Sequence, residues 1–104
     1  MNTVLSDKIA DLNDKYRRTG IGFTITRKVQ ALRDLPRLIY TIQHYNYFTK
    51  DVDPFGEHDF GFVAWGGQKI YWKIDYYDQS MKYYGDPYSE TCRRVLTVML
   101  ASEY

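Results

Sequence analysis

The sequence predicts a small α+β domain, with elements in the order α-β-α-β-β-α and a three-stranded antiparallel sheet that carries its helices mainly on one face. Three observations predict it. Two runs of alternating residues flank Gly66-Gly67, a strong signal for a β-hairpin. Apolar residues recur at helical spacing in three other stretches. The chain of 104 residues has the length of one domain, taken here as residues 1–104, with room for one core.

The first helix is expected from about Ser6 to Arg18, because Ile9, Leu12 and Tyr16 fall on one face. Ser6 is placed to cap its start, and Gly20 lies just past its end. Lys15, Arg17 and Arg18 sit in the last turn, where cations favour the helix dipole. Phe23 to Arg27 alternates with β-branched residues and predicts a short strand with Phe23 and Ile25 turned inward. Pro36 opens the second helix, where its missing N–H costs nothing, with Leu38, Ile39, Ile42 and Tyr45 as the apolar stripe. Thr49 to Gly56 is a loop by composition. Strands are expected from His58 to Trp65 and from Gln68 to Tyr76, then a loop to Gly85. Asp86-Pro87 opens a last helix that buries Cys92, Val95, Leu96 and Met99, with Glu90 and Arg94 spaced for an ion pair.

A symmetric turn at Gly66-Gly67 sets Trp65 opposite Gln68, Val63 opposite Ile70, Phe60 opposite Lys73 and His58 opposite Asp75. Strand alternation then divides the hairpin into two faces. Gly61, Val63, Trp65, Ile70, Trp72, Ile74 and Tyr76 make an apolar face that must meet the helices. His58, Phe60, Phe62, Ala64, Lys69, Tyr71, Lys73 and Asp75 make a mixed face, which is neither core nor ordinary solvent surface. Contiguous aromatic residues on a surface mark contact sites, so His58, Phe60, Phe62, Tyr71, Lys73 and Asp75 are the candidate binding residues.

Composition narrows the classes of function. Eleven Tyr, five Phe and two Trp make an unusual aromatic content of 17%, suited to a ring-filled core or a contact surface. Net charge is +1, without the basic surplus of a general nucleic-acid binder. Cys92 is the one cysteine, which excludes an internal disulfide and suits a reducing compartment. The N-terminus has no long apolar run of a signal peptide and no stretch reads as membrane-spanning, so a cytoplasmic protein without a membrane partner is expected.

Asp53, Glu57, His58, Asp59 and Asp75 could serve a metal or acid–base chemistry if they converged. Asp51 to Gly56 opens like a calcium loop, but Phe55 stands at the fifth position and Phe62 at the twelfth, which rejects an EF-hand. No catalytic residue is assigned and no cofactor is expected. The pairs Arg17-Arg18 and Arg93-Arg94 are expected on solvated helix faces.

Four segments carry a family resemblance: Ile9 to Arg18, Gly56 to Gly61, Trp72 to Asp78, and Arg93 to Leu100. Together they resemble a family of short bacterial proteins catalogued as a domain of unknown function. The chain departs from the family pattern in the aromatic run His44 to Phe48 and at Tyr83-Tyr84. The resemblance implies cargo of plasmids and other mobile elements, and with it a non-enzymatic inhibitor of host defence, anti-CRISPR or antirestriction-like, acting through protein–protein contact. Two alternatives stand beside that expectation. One is a small metal-assisted hydrolase or nuclease using the acidic loop; the other is a single-stranded nucleic-acid binder, which the net charge disfavours.

Overall fold

A computed structural model describes residues 3–104 of the chain, with side chains from Asp7 onward. The first helix, α1 (Thr3–Thr19), begins ahead of Ser6, so the helix does not start at the cap expected there; the Ser6 side chain lies outside the described residues. It stops at Gly20, whose φ of 66° takes the left-handed conformation that glycine favours after a helix. A short strand β1 (Thr24–Ile25) follows, then the four-residue α2 (Arg27–Gln30), which the sequence reading did not foresee. Thr26 caps α2 by accepting the Val29 N–H. Helix α3 (Leu35–Gln43) carries its proline in the first turn and buries Leu38 and Ile42. His44 ends it, and the His44 ring lies 2.9 Å from the Tyr40 carbonyl.

The hairpin is formed by β2 (Phe60–Trp65) and β3 (Gln68–Tyr77) in the expected register, from Trp65 opposite Gln68 to Phe60 opposite Lys73. Gly66 and Gly67 make its turn with φ of 55° and 78°, values that a side chain would strain.

The expected last helix is instead strand β4 (Arg93–Leu100), and the sheet has four strands rather than three. Its order is β1-β4-β3-β2, with β1 parallel to β4 and the other neighbours antiparallel. The apolar residues of Arg93 to Leu100 fit either period over so short a run, and packing decides. Val95, Thr97 and Val98 are β-branched and stiff, which favours the pleated state. Alternation places Leu96 opposite Ile74 and Val98 opposite Trp72, so the strand extends the apolar face of the hairpin without a break. The Glu90–Arg94 helical pair does not form, because Arg94 turns to Asn13 and the Pro87 carbonyl. Cys92 lies half-buried just before the strand.

Val29, Leu38 and Ile42 of the helices meet Ile70, Trp72, Ile74, Leu96 and Val98 of the sheet in one core. The helices therefore cover one face, as expected. None of the described helices is long and apolar enough to cross a membrane. At the centre the buried Trp72 indole meets the Tyr45 ring edge-on at 5.3 Å, and its N–H has no acceptor among the described residues. Gly61 leaves the room for both rings. A methyl there would stand 2.6 Å from Trp72 Nε1 and 2.7 Å from the Tyr45 ring. Neither ring can retreat in a packed core, so Gly61→Ala is expected to cost about 1–3 kcal/mol by overpacking. Urea denaturation of the variant against the parent measures it.

Candidate functional site

The described α-helices pack on the apolar face of the sheet, and the second face is covered only in part, by the chain that follows β4. Five of the six expected binding residues lie on this second face: Phe60, Phe62, Tyr71, Lys73 and Asp75. They are half-buried, mostly by one another. Phe60 meets Tyr71 edge-on at 5.2 Å, and Phe62 tilts against Tyr71 at 6.3 Å. Lys69 Nζ stands 4.3 Å over the Phe62 ring, a cation–π contact. Lys73 and Asp75, two residues apart on one strand and so on one face, form an ion pair.

The fourth strand and the chain beyond it enlarge this surface. Thr97 lies opposite Lys73 and Met99 opposite Tyr71. After β4 a short 3₁₀ turn (Ala101–Glu103) brings Tyr104 back over the sheet, within 6.0 Å of Phe60 and 5.4 Å of Tyr71. Tyr104 is nonetheless 74% exposed. Met99 is buried, as its apolar spacing predicts, but it lies on this strand face rather than on a helix, and Tyr104 has no counterpart in the sequence expectation.

His58 is the exception, and its expected pairing with Asp75 is not formed. The hairpin register reaches Asp59, whose carbonyl accepts the Ile74 N–H at 2.8 Å. At His58 the backbone turns into the left-handed region, φ 57°, and leaves the strand. Its Nδ1 then lies 3.0 and 3.1 Å from the two Asp14 carboxylate oxygens. The ring stacks on Phe48 at 3.8 Å, nearly parallel. Asp53 accepts the backbone N–H groups of Glu57 and His58, both at 3.1 Å, and so fixes the loop that makes this turn.

Behind these loops lies a buried polar network. Asn13 and Arg17 occupy the inner face of α1 and are almost fully buried. The Arg17 guanidinium donates to the carbonyls of Ile42 and Tyr45 and to Asp14. It lies 5.3 Å over both the Phe48 and Trp72 rings. Asn13 donates to the Glu57 carbonyl and to the Tyr76 hydroxyl, and accepts from Arg94. The expectation of solvated faces thus fails at Arg17, which is buried, and at Arg94, which is half-buried on a strand; Arg18 and Arg93 are exposed. The missed signal is the spacing of Ile9, Asn13 and Arg17 at i, i+4, i+8, which continues an apolar stripe with polar residues.

Asp53, Glu57, Asp59 and Asp75 border one hollow, but His58 is not among them and the four do not form a ligand cluster. Asp53 caps its loop, Asp59 accepts from the Tyr76 hydroxyl on the helix side, and Asp75 lies on the helix-free face. Among the described residues no three His, Cys, Asp or Glu side chains meet in a group that could hold a metal. Two adjoining hollows, about 500 and 310 Å³, share Glu57, Asp59 and Asp75 on their walls. Tyr83 and Tyr84 flank the first, Phe60 and Tyr104 the second. Burial raises the Asp59 carboxyl above its ordinary value, and the charge of Asp53 raises it further. Burial likewise raises Glu57, with Asp59 and Asp53 adding to the effect. Burial also raises the Tyr76 phenol well above its ordinary value, and the charge of Asp59 adds to the effect.

Removing Arg17 leaves two carbonyls and one carboxylate without their cation. Arg17→Met is expected to lose about 3–5 kcal/mol in urea denaturation. Asp59 predicts the opposite sign. Its raised folded pKa means that stability is full below the unfolded value of 3.8 and is lost as pH rises through the folded value. Asp59→Asn, which carries no charge, is therefore expected to melt above the parent at pH ~7, with the difference vanishing below pH ~4. Thermal melts across that range check it.

No curated protein and no solved structure matches this chain. Residues 25–103, most of its length, match a family described as Protein of unknown function (DUF3768), and they include three of the four segments that carried the resemblance. The chain belongs to that family.

Proposed function

We propose that this chain is a non-enzymatic binding protein, that its contact surface is the helix-free face of the sheet, and that its partner is a protein. One observation carries the choice of partner. Along β3 the charge on that face changes sign, from Lys69 and Lys73 to Asp75, with Glu57 and Asp59 on the hollows beyond. Rings lie between the two ends. A nucleic-acid strand carries one sign throughout and is held by a continuous basic track. A protein surface can match both signs and seat apolar groups between them. The metal-assisted alternative has no converged ligand set among the described residues to support it.

Anti-CRISPR or antirestriction activity is a special case of this function, and it adds the expectation that the partner belongs to a nuclease-based defence. Phe62 and Tyr71 are half-buried on the outer face and can be truncated without opening the core. Tagged Phe62→Ala and Tyr71→Ala chains are expected to keep the parent's thermal melt within a few degrees. Each is expected to lose partner affinity by about tenfold or more. Capture from bacterial lysate, with bound proteins quantified, compares them with the parent. Variants that retain the same proteins at the same level would exclude this face as the contact surface.

A further inference from the structure

We infer that the protein seated on the helix-free face is a second copy of this chain, related by a twofold axis that lies between the two sheets and crosses their strands. The inference rests on the proposal that this face is a protein contact surface, and it names the occupant. An isologous interface requires a patch complementary to itself. A face charged alike throughout repels its own copy; one whose charge reverses from end to end does not.

The twofold described sets each β3 antiparallel to the partner's β3, with the two faces about 10 Å apart as in packed sheets. When Lys69 stands opposite the partner's Asp75, the remaining positions follow from the strand register. Phe60 then faces the partner's Phe62, and Tyr71 faces the partner's Lys73. Thr97 faces the partner's Met99. The rings meet in the middle with Lys73 beside them, held by its own Asp75, and each end carries one Lys69–Asp75 pair, two in the whole dimer. The exposed ring of Tyr104, beside Phe60 and Tyr71, adds to the apolar centre.

The size of the patch sets the strength. Six residues of β2 run about 20 Å and three strands span about 10–15 Å, a footprint of about 200–300 Å² per chain. This is below the ordinary size of a specific interface, so the dimer is a weak and transient one in the high-micromolar range.

Sedimentation equilibrium of the full chain, from about 1 μM to several hundred μM, tests this. The expected result is a mass that rises with concentration from 12.4 kDa toward twice that value. Lys69→Glu and Asp75→Lys should each weaken the dimer by about tenfold or more, since each sets like charges across the axis. Mixing the two variants should restore it, because in the mixed pair both cross-axis contacts again join opposite charges. A change that merely disturbed the fold would not be rescued by mixing. Far-UV circular dichroism melts verify that each variant is folded.

A chain that stays monomeric throughout the range overturns the inference. So does a dimer that is indifferent to Lys69→Glu, Asp75→Lys and Phe62→Ala, since it would be formed elsewhere. If the chain is monomeric while Phe62→Ala still loses a lysate partner, this inference fails and the wider proposal stands. If Phe62→Ala changes neither mass nor capture, both fail.

Discussion

The guanidinium of Arg17 joins more of this molecule than any contact within the sheet. It is buried on the inner face of α1, where it donates to the Ile42 carbonyl in the last turn of α3, to the Tyr45 carbonyl just beyond it and to Asp14 one turn back. Burial pulls its pKa down, and the charge of Asp14 opposes that loss. Asp14 in turn faces His58, and Phe48 stacks on His58 while lying under the Arg17 cation. Helix α1, the end of α3 and the long loop before β2 are thus held by one ion and its neighbours. A buried charge with each of its donors occupied is tolerable; the same charge with one partner gone is not. The constraint is therefore on the set, and it fixes where the loop must pass before the hairpin begins.

That path decides what the outer face contains. With His58 turned inward against Asp14, the strand proper starts at Phe60 and Asp75 is left to Lys73. The helices, drawn to the Trp72 side by the core and the Arg17 network, leave the opposite side of the sheet only partly covered. Rings on that side shelter one another rather than enter a second core. A partly covered aromatic face is thus a consequence of how the polar network closes the other side.

The hairpin was legible from the sequence because its signals are local. Gly66-Gly67 defines a turn, the turn defines a register, and period two assigns each side chain to a face. Pro36 marked its helix for the same kind of reason. Arg93 to Leu100 was illegible because eight residues with scattered apolar positions satisfy both periods, and only the vacant edge of β3 selects the strand. Arg17 was misread because charge at the end of a helix is ordinarily solvated, and its acceptors lie 25 and 28 residues away in the sequence. His58 was misplaced because a left-handed turn at a non-glycine residue leaves no mark in composition. Long-range partners and backbone sign are what a single sequence conceals.

A bulk charge of +1 says little about a surface on which charges are ordered. Lys69 and Lys73 stand toward the turn end of β3 and Asp75 toward the other, while Glu57 and Asp59 hold raised pKa values beside it. Those carboxyls resist ionisation because burial and each other's charge oppose it, and a cation brought near would relieve that cost. At the turn end the open requirement is reversed, for Lys69 has a ring beneath it and is exposed to solvent. The two ends therefore favour opposite charges, and the rings between them favour exclusion of water. The proposed dimer would answer these three requirements in sequence with the same face turned end for end.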